Sequence, residues 1–179
     1  MFPAVSCNYS MGGIAMFIGP LPPALRHIRD DGRKNEEIIA ALVAHDVQIL
    51  QKHVFLWNPE PIPPLGTEYP FLAVMAREVP EGSRASAEQL FTAVTHVRGD
   101  LKKPSLRSLL FLQEWMTRER LYADIVGLNE PVLNAGSGNL VLICLSWEEE
   151  EGISCIAAVD ANHDPAHDDE MLLFLGPGA

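Results

Sequence analysis

The sequence predicts an α+β fold: one domain over residues 1–179, a mainly antiparallel sheet of four to six strands, and three or four helices packed against it. Three observations lead there. Residues 138–160 hold two apolar runs, 140–147 and 153–159, parted by four glutamates and a glycine, the pattern of a β-hairpin with a charged tip. Two helical patterns follow one another between strand patterns, which suits an α+β order better than a wound parallel sheet. A length of 179 residues with a 47% apolar share is enough for one core and short for two.

The hairpin organises the rest. With Glu149 and Glu150 at the centre of the turn, Cys144 lies opposite Cys155. Leu140, Leu142, Cys144, Ile153, Cys155, Ala157 and Val159 then share one face, and Val141, Ile143, Leu145, Trp147, Ile156 and Ala158 share the other. Both faces are apolar, so the hairpin should lie at the centre of the sheet with cover on both sides.

In chain order, residues 1–12 read as a loosely ordered N-terminal segment, and residues 14–18 as a short strand closed by Gly19-Pro20. Pro22-Pro23 can open a helix at Ala24, with Leu25 and Ile28 on one face and Gly32 as its stop. Asn35 is placed to cap a second helix, Glu36 and Glu37 favour its first turn, and Ile39, Leu42, Val43, Val47 and Leu50 form a stripe ending near His53. Pro59, Pro61, Pro63 and Pro64 enforce an extended connection. The PxxP spacings at 20–23 and 61–64 read as proline punctuation of surface loops.

Residues 71–75 form a strand pattern ended by Pro80 and Gly82. Ser86 and Gln89 make a capping box for a helix with Leu90, Phe91, Val94 and Val97 inward, terminated by Gly99. Ser105 caps a longer helix whose apolar positions run from Leu106 through Met116 and Leu121 to Val126, stopped by Gly127, with Arg118 and Arg120 on its exposed middle. Residues 134–138 are a flexible turn into the hairpin, and residues 171–175 are a closing strand.

Charge is segregated along the chain. The net charge is -11, yet residues 1–120 hold 13 basic and 13 acidic side chains, while residues 121–179 hold 11 acidic ones and neither lysine nor arginine. This argues against nucleic acid as a partner, because phosphate binding is driven by basic groups that release counterions. No apolar run approaches the ~20 residues that span a bilayer, and the first ten residues lack the basic start of a secretory signal, so a cytoplasmic protein is expected. Three cysteines without a CxxC spacing argue against a disulfide framework and a zinc knuckle.

Two functional expectations follow. The first is a non-enzymatic interaction protein, such as an inhibitor, immunity-type protein, chaperone or assembly factor. It would dock a basic protein surface through Glu148, Glu149, Glu150, Glu151, Asp168, Asp169 and Glu170, with Glu130 extending the surface. The alternative is a metal-assisted hydrolase or metal-binding protein. Asp160, Asn162 and Asp164 have calcium-loop spacing, and His163 and His167 are four residues apart, as zinc-binding histidines on one helical face are. Pro165 at the glycine position and Met171 at the glutamate position break the calcium loop, and Pro165 also spoils the helical face. No nucleophile elbow or comparable catalytic signature is present. No cofactor is indicated.

Overall fold

The computed structural model describes residues 9–11, 14–16, 19–20, 28–79, 86–121, 123–148, 153–161 and 171–177. Among them the chain forms β1 (Tyr9–Met11), β2 (Ile14–Met16), β3 (Gly19–Pro20), β4 (Ile28–Arg29), α1 (Asn35–Ala44), β5 (Gln48–Ile49), α2 (His53–Trp57), β6 (Glu68–Tyr69) and β7 (Phe71–Met75). There follow α3 (Ala87–Val97), α4 (Leu106–Glu119), β8 (Ile125–Leu133), β9 (Leu140–Glu148), β10 (Ile153–Asp160) and β11 (Met171–Leu175). The α+β class holds.

The sheet itself differs from expectation. Among the described residues it has seven strands in the order β3-β7-β11-β8-β9-β10-β5, and β1-β2 and β4-β6 form two separate ribbons. It is mixed rather than mainly antiparallel, because β11 crosses over to lie parallel to β8 and the two-residue β5 joins the edge parallel to β10. The hairpin is therefore off-centre, and β8 is the middle strand.

Within the hairpin, Cys155 lies opposite Ser146 and Cys144 opposite Ala157, so the two cysteines are diagonal neighbours rather than a facing pair. The pairing is displaced by two residues from the expected one. A shift of two preserves the period of the pleat, so every side chain keeps its expected face. Val141, Ile143, Leu145 and Ile156 join one core with Ile38, Ile39 and Leu42 of α1, Val54 and Phe55 of α2, and Leu109, Leu110 and Leu112 of α4. Leu142 and Cys144 join a second core with Leu172 and Phe174 of β11 and Leu90 and Val94 of α3. Helices thus cover both sides of the sheet, as the two apolar faces require.

The strand most at odds with the sequence reading is β8. Residues expected in the last turn of a long helix, Ile125, Val126 and Gly127, are strand residues paired with Leu145, Cys144 and Ile143. Gly127 is not a helix stop. A Cβ there would come within 2.7 Å of Leu109 Cδ1, so the missing side chain lets α4 pack closely on the sheet. Beyond it the β8-β9 register slips between Gly127 and Val132, and the side chain of buried Asn129 fills the gap: its Oδ1 accepts from the Ile143 amide at 3.0 Å. The strand bulges there rather than ending.

The helix ends explain the other corrections. α1 stops at Ala44, not near His53, because Asp46 takes a left-handed conformation (φ 60°) while the amides of Asp46 and Val47 donate to Val43 and Leu42. α4 ends likewise at Arg120 (φ 54°), where the amides of Arg120 and Leu121 donate to Thr117 and Met116. Both are Schellman closures in which a residue with a Cβ does what glycine usually does. Arg118 and Arg120 consequently sit at the end of α4, not on its middle. Lys34 rather than Asn35 precedes α1, and its amide donates to Glu37 at 2.7 Å. Ile28, expected on a helix, pairs with Tyr69 in β4-β6; residues 24–27 of that expected helix lie outside the described residues. The caps at Ser86 and Ser105 form as expected.

One polar cluster ties these pieces together. Arg107, 2% exposed on α4, donates through Nε and Nη2 to the two oxygens of Asp30, 1% exposed, the latter bond at 2.6 Å. Tyr69 on β6 donates its hydroxyl to Asp30 at 2.7 Å, the Gly32 amide adds 2.8 Å, and Arg107 Nη1 reaches Asn35 on α1 at 3.0 Å. On the outer side the Glu60 carboxylate accepts from the Leu106 and Arg107 amides at 2.9 and 2.8 Å, placing an anion on the α4 N-terminus. Burial alone would push the Asp30 carboxyl up. The bonds from Arg107, Tyr69 and Gly32 outweigh it and hold the group below the ordinary carboxylate range.

Removing one member of such a pair strands the other in the core. Arg107→Met should cost about 3–5 kcal/mol in urea unfolding, and a loss under about 1 kcal/mol would show the pair to be dispensable. Because the Asp30 pKa is lower folded than unfolded, its stabilisation is complete above the unfolded value of about 3.9 and is lost as pH falls through the folded value. The wild-type midpoint should therefore drop below about pH 4 more steeply than that of Arg107→Met. Arg120→Gly should raise stability by about 0.5–1 kcal/mol by relieving the left-handed strain, and a loss instead would contradict the assigned helix end.

Candidate functional site

Two regions carry charged groups in arrangements that packing alone does not require. The first is the end of the sheet where β9 finishes and β11 starts. Asp124, just before β8, joins them: its Oδ1 accepts from the Trp147 amide at 3.2 Å and its carbonyl accepts from the Met171 amide at 3.0 Å. Met171 is paired with Ile125, which is paired with Leu145. β11 therefore starts at the level of the sheet where β9 ends.

Of the residues expected to bind a basic partner, Glu148 closes β9, while Glu149, Glu150, Glu151, Asp168, Asp169 and Glu170 lie outside the described residues. Of the expected metal ligands, His163, Asp164 and His167 lie outside them as well. Asp160 ends β10 and accepts from Asn139 Nδ2 at 2.9 Å, beside the turn that joins β8 to β9. It is seven residues along the strand from Ile153, about 23 Å. Asp160 and Ile153 are thus at opposite ends of β10, and β11 begins, at Met171, at the end where β9 finishes. Glu130 does not extend the surface as a bare charge: Lys103, which also reaches Glu88 at 3.2 Å, pairs with it at 3.1 Å. Among the described residues no three His, Cys, Asp or Glu side chains converge as metal ligands would.

The turn expected to be flexible is well organised. Buried Asn134 accepts through Oδ1 from the Gly136 amide at 3.0 Å, shares a 2.7 Å hydrogen bond with His53 Nε2, and donates to Gln51 at 3.2 Å. This fastens α2 to the β8-β9 turn. The histidine is thereby engaged in holding a loop.

The second region is a cavity of about 430 Å³ between β4, α1 and α4, which the sequence reading did not anticipate. Ile28, Leu42, Phe111 and Trp115 line its apolar part, and Arg29, Arg33, Arg118, Asp31, Glu114, His45 and Thr117 its polar part. Arg33 is clamped: its Nε donates to Asp31 at 2.6 Å, and Nη1 and Nη2 donate to the two Glu114 oxygens at 3.0 and 2.6 Å. The bonds to Glu114, then Asp31, outweigh its burial and raise its pKa further above the ordinary value. Arg29 pairs with Glu68 at 2.6 Å, and Arg118 with Glu119 at 3.2 Å. Partners as far apart as Arg33 and Glu114 carry no local sequence signal.

No protein-family model, curated protein or solved structure matches this chain. The functional reading therefore rests on chemistry alone. Among the described residues, no helix is long and apolar enough to cross a membrane.

Proposed function

We propose that the protein is an interaction module that docks a basic protein surface with the acidic end of its sheet, as an inhibitor, immunity-type protein, chaperone or assembly factor would. The observation that carries this reading is topological. Two acidic stretches, residues 148–151 and 168–170, flank strand ends that Asp124 fastens together, in a part of the chain without lysine or arginine. A rigid sheet end bearing charge of one sign raises association rates with an oppositely charged partner and penalises partners of like charge. Solubility explains a few acids beside an apolar hairpin. It does not explain the lack of any lysine or arginine over 59 positions. Asp160 supports the metal-assisted alternative only weakly, since Asn139 already holds one of its oxygens.

A partner captured from the native source should bind several-fold more weakly at about 300 mM than at about 50 mM salt. Replacing residues 148–151 by glutamine should flatten that dependence while leaving the unfolding midpoint unchanged. Binding indifferent both to salt and to the glutamine variant would defeat the proposal.

A further inference from the structure

We propose that the cavity between β4, α1 and α4 binds a small organic anion, an oxyanion group joined to a flat apolar ring. This site is independent of the acidic sheet end and has the opposite chemistry. The floor is dry, since Ile28 and Phe111 are 4% exposed and Leu42 fully buried, and the Trp115 indole lies partly buried beside them. Phe111 is not open for stacking: the guanidinium of Arg33 lies 5.8 Å from its centroid and that of Arg107 5.2 Å. A ring entering the cavity therefore meets Trp115.

The polar wall is rich in donors and poor in available acceptors. Each guanidinium carries five N–H groups and no acceptor. Arg29 and Arg33 turn two and three of theirs to Glu68, Asp31 and Glu114, and Arg118 turns one to Glu119. The other nine have no protein acceptor among the described residues. The two lining carboxylates are already taken by Arg33: Asp31 accepts from its amide and its Nε, and Glu114 accepts from Nη1 and Nη2 through both oxygens. A cation would have to break that clamp, whereas a carboxylate or phosphate oxygen can accept from the arginines without disturbing it. His45 also lines the cavity. A volume of about 430 Å³ lies within the range of small-ligand sites.

The test uses phenyl phosphate and inorganic phosphate as probes on the full chain. In a Trp57→Phe, Trp147→Phe background, Trp115 is the sole tryptophan. Phenyl phosphate should quench its emission saturably, and inorganic phosphate should compete at about tenfold lower affinity, since it lacks the ring. Arg118→Gln should weaken phenyl phosphate about tenfold by removing a charge-assisted donor. The Arg118 side chain is 68% exposed, so its urea midpoint should not move. Failure to saturate by about 10 mM, or unchanged affinity in both Arg118→Gln and Arg29→Gln, would overturn the proposal.

Discussion

The buried Asp30–Arg107 pair is the constraint around which the helical side of this fold is arranged. A charge 1–2% exposed is tolerable only when paired and fully hydrogen-bonded, and here each partner is satisfied from several elements at once. Asp30 draws donors from α4, β6 and its own turn, while Arg107 reaches on to α1. The β4-β6 ribbon is only two residues per strand and has little pairing of its own. It is held because its loss would leave a guanidinium unpaired in the core.

That anchoring shapes both candidate sites. With β4 fixed against α4, the short stretch Arg29–Arg33 stands over Phe111 and Glu114, and the cavity is the space left between them. Farther along the same helix, Arg120 turns the chain out of α4 ahead of Asp124 and β8, and Asp124 fastens the end of β9 to the start of β11. Gly127 then allows α4 to lie close enough on β8 for Leu109 to be fully buried. The arginine-lined cavity and the strand ends joined by Asp124 are thus both set by how α4 is seated.

Much of the local structure was legible. The spans of β7 and β11, the hairpin and the sorting of its faces, and the caps at Ser86 and Ser105 all follow from patterns a few residues long. The failures share a cause. Asp46 and Arg120 end helices without glycine, so the apolar spacing ran on past them and absorbed β5 and the start of β8. The register slip at Asn129 depends on a side chain replacing a ladder bond, which no alternation pattern reveals. Asp30 and Arg107 are 77 positions apart, and the cavity they help to form was invisible for that reason. The acidic residues were plain in the sequence, but that Glu148 and Asp160 lie at opposite ends of the hairpin came only from the register.

The central claim is that the β4-β6 ribbon and α4 form one cooperative unit through the buried pair. Native-state hydrogen exchange tests it directly at the amides of Asp30, Gly66 and Leu109, each bonded within the structure. One common opening free energy for all three, equal to that of global unfolding, is the result expected. Exchange of Asp30 and Gly66 through a much lower opening free energy than Leu109 would contradict it, since the ribbon would then detach while α4 stayed folded.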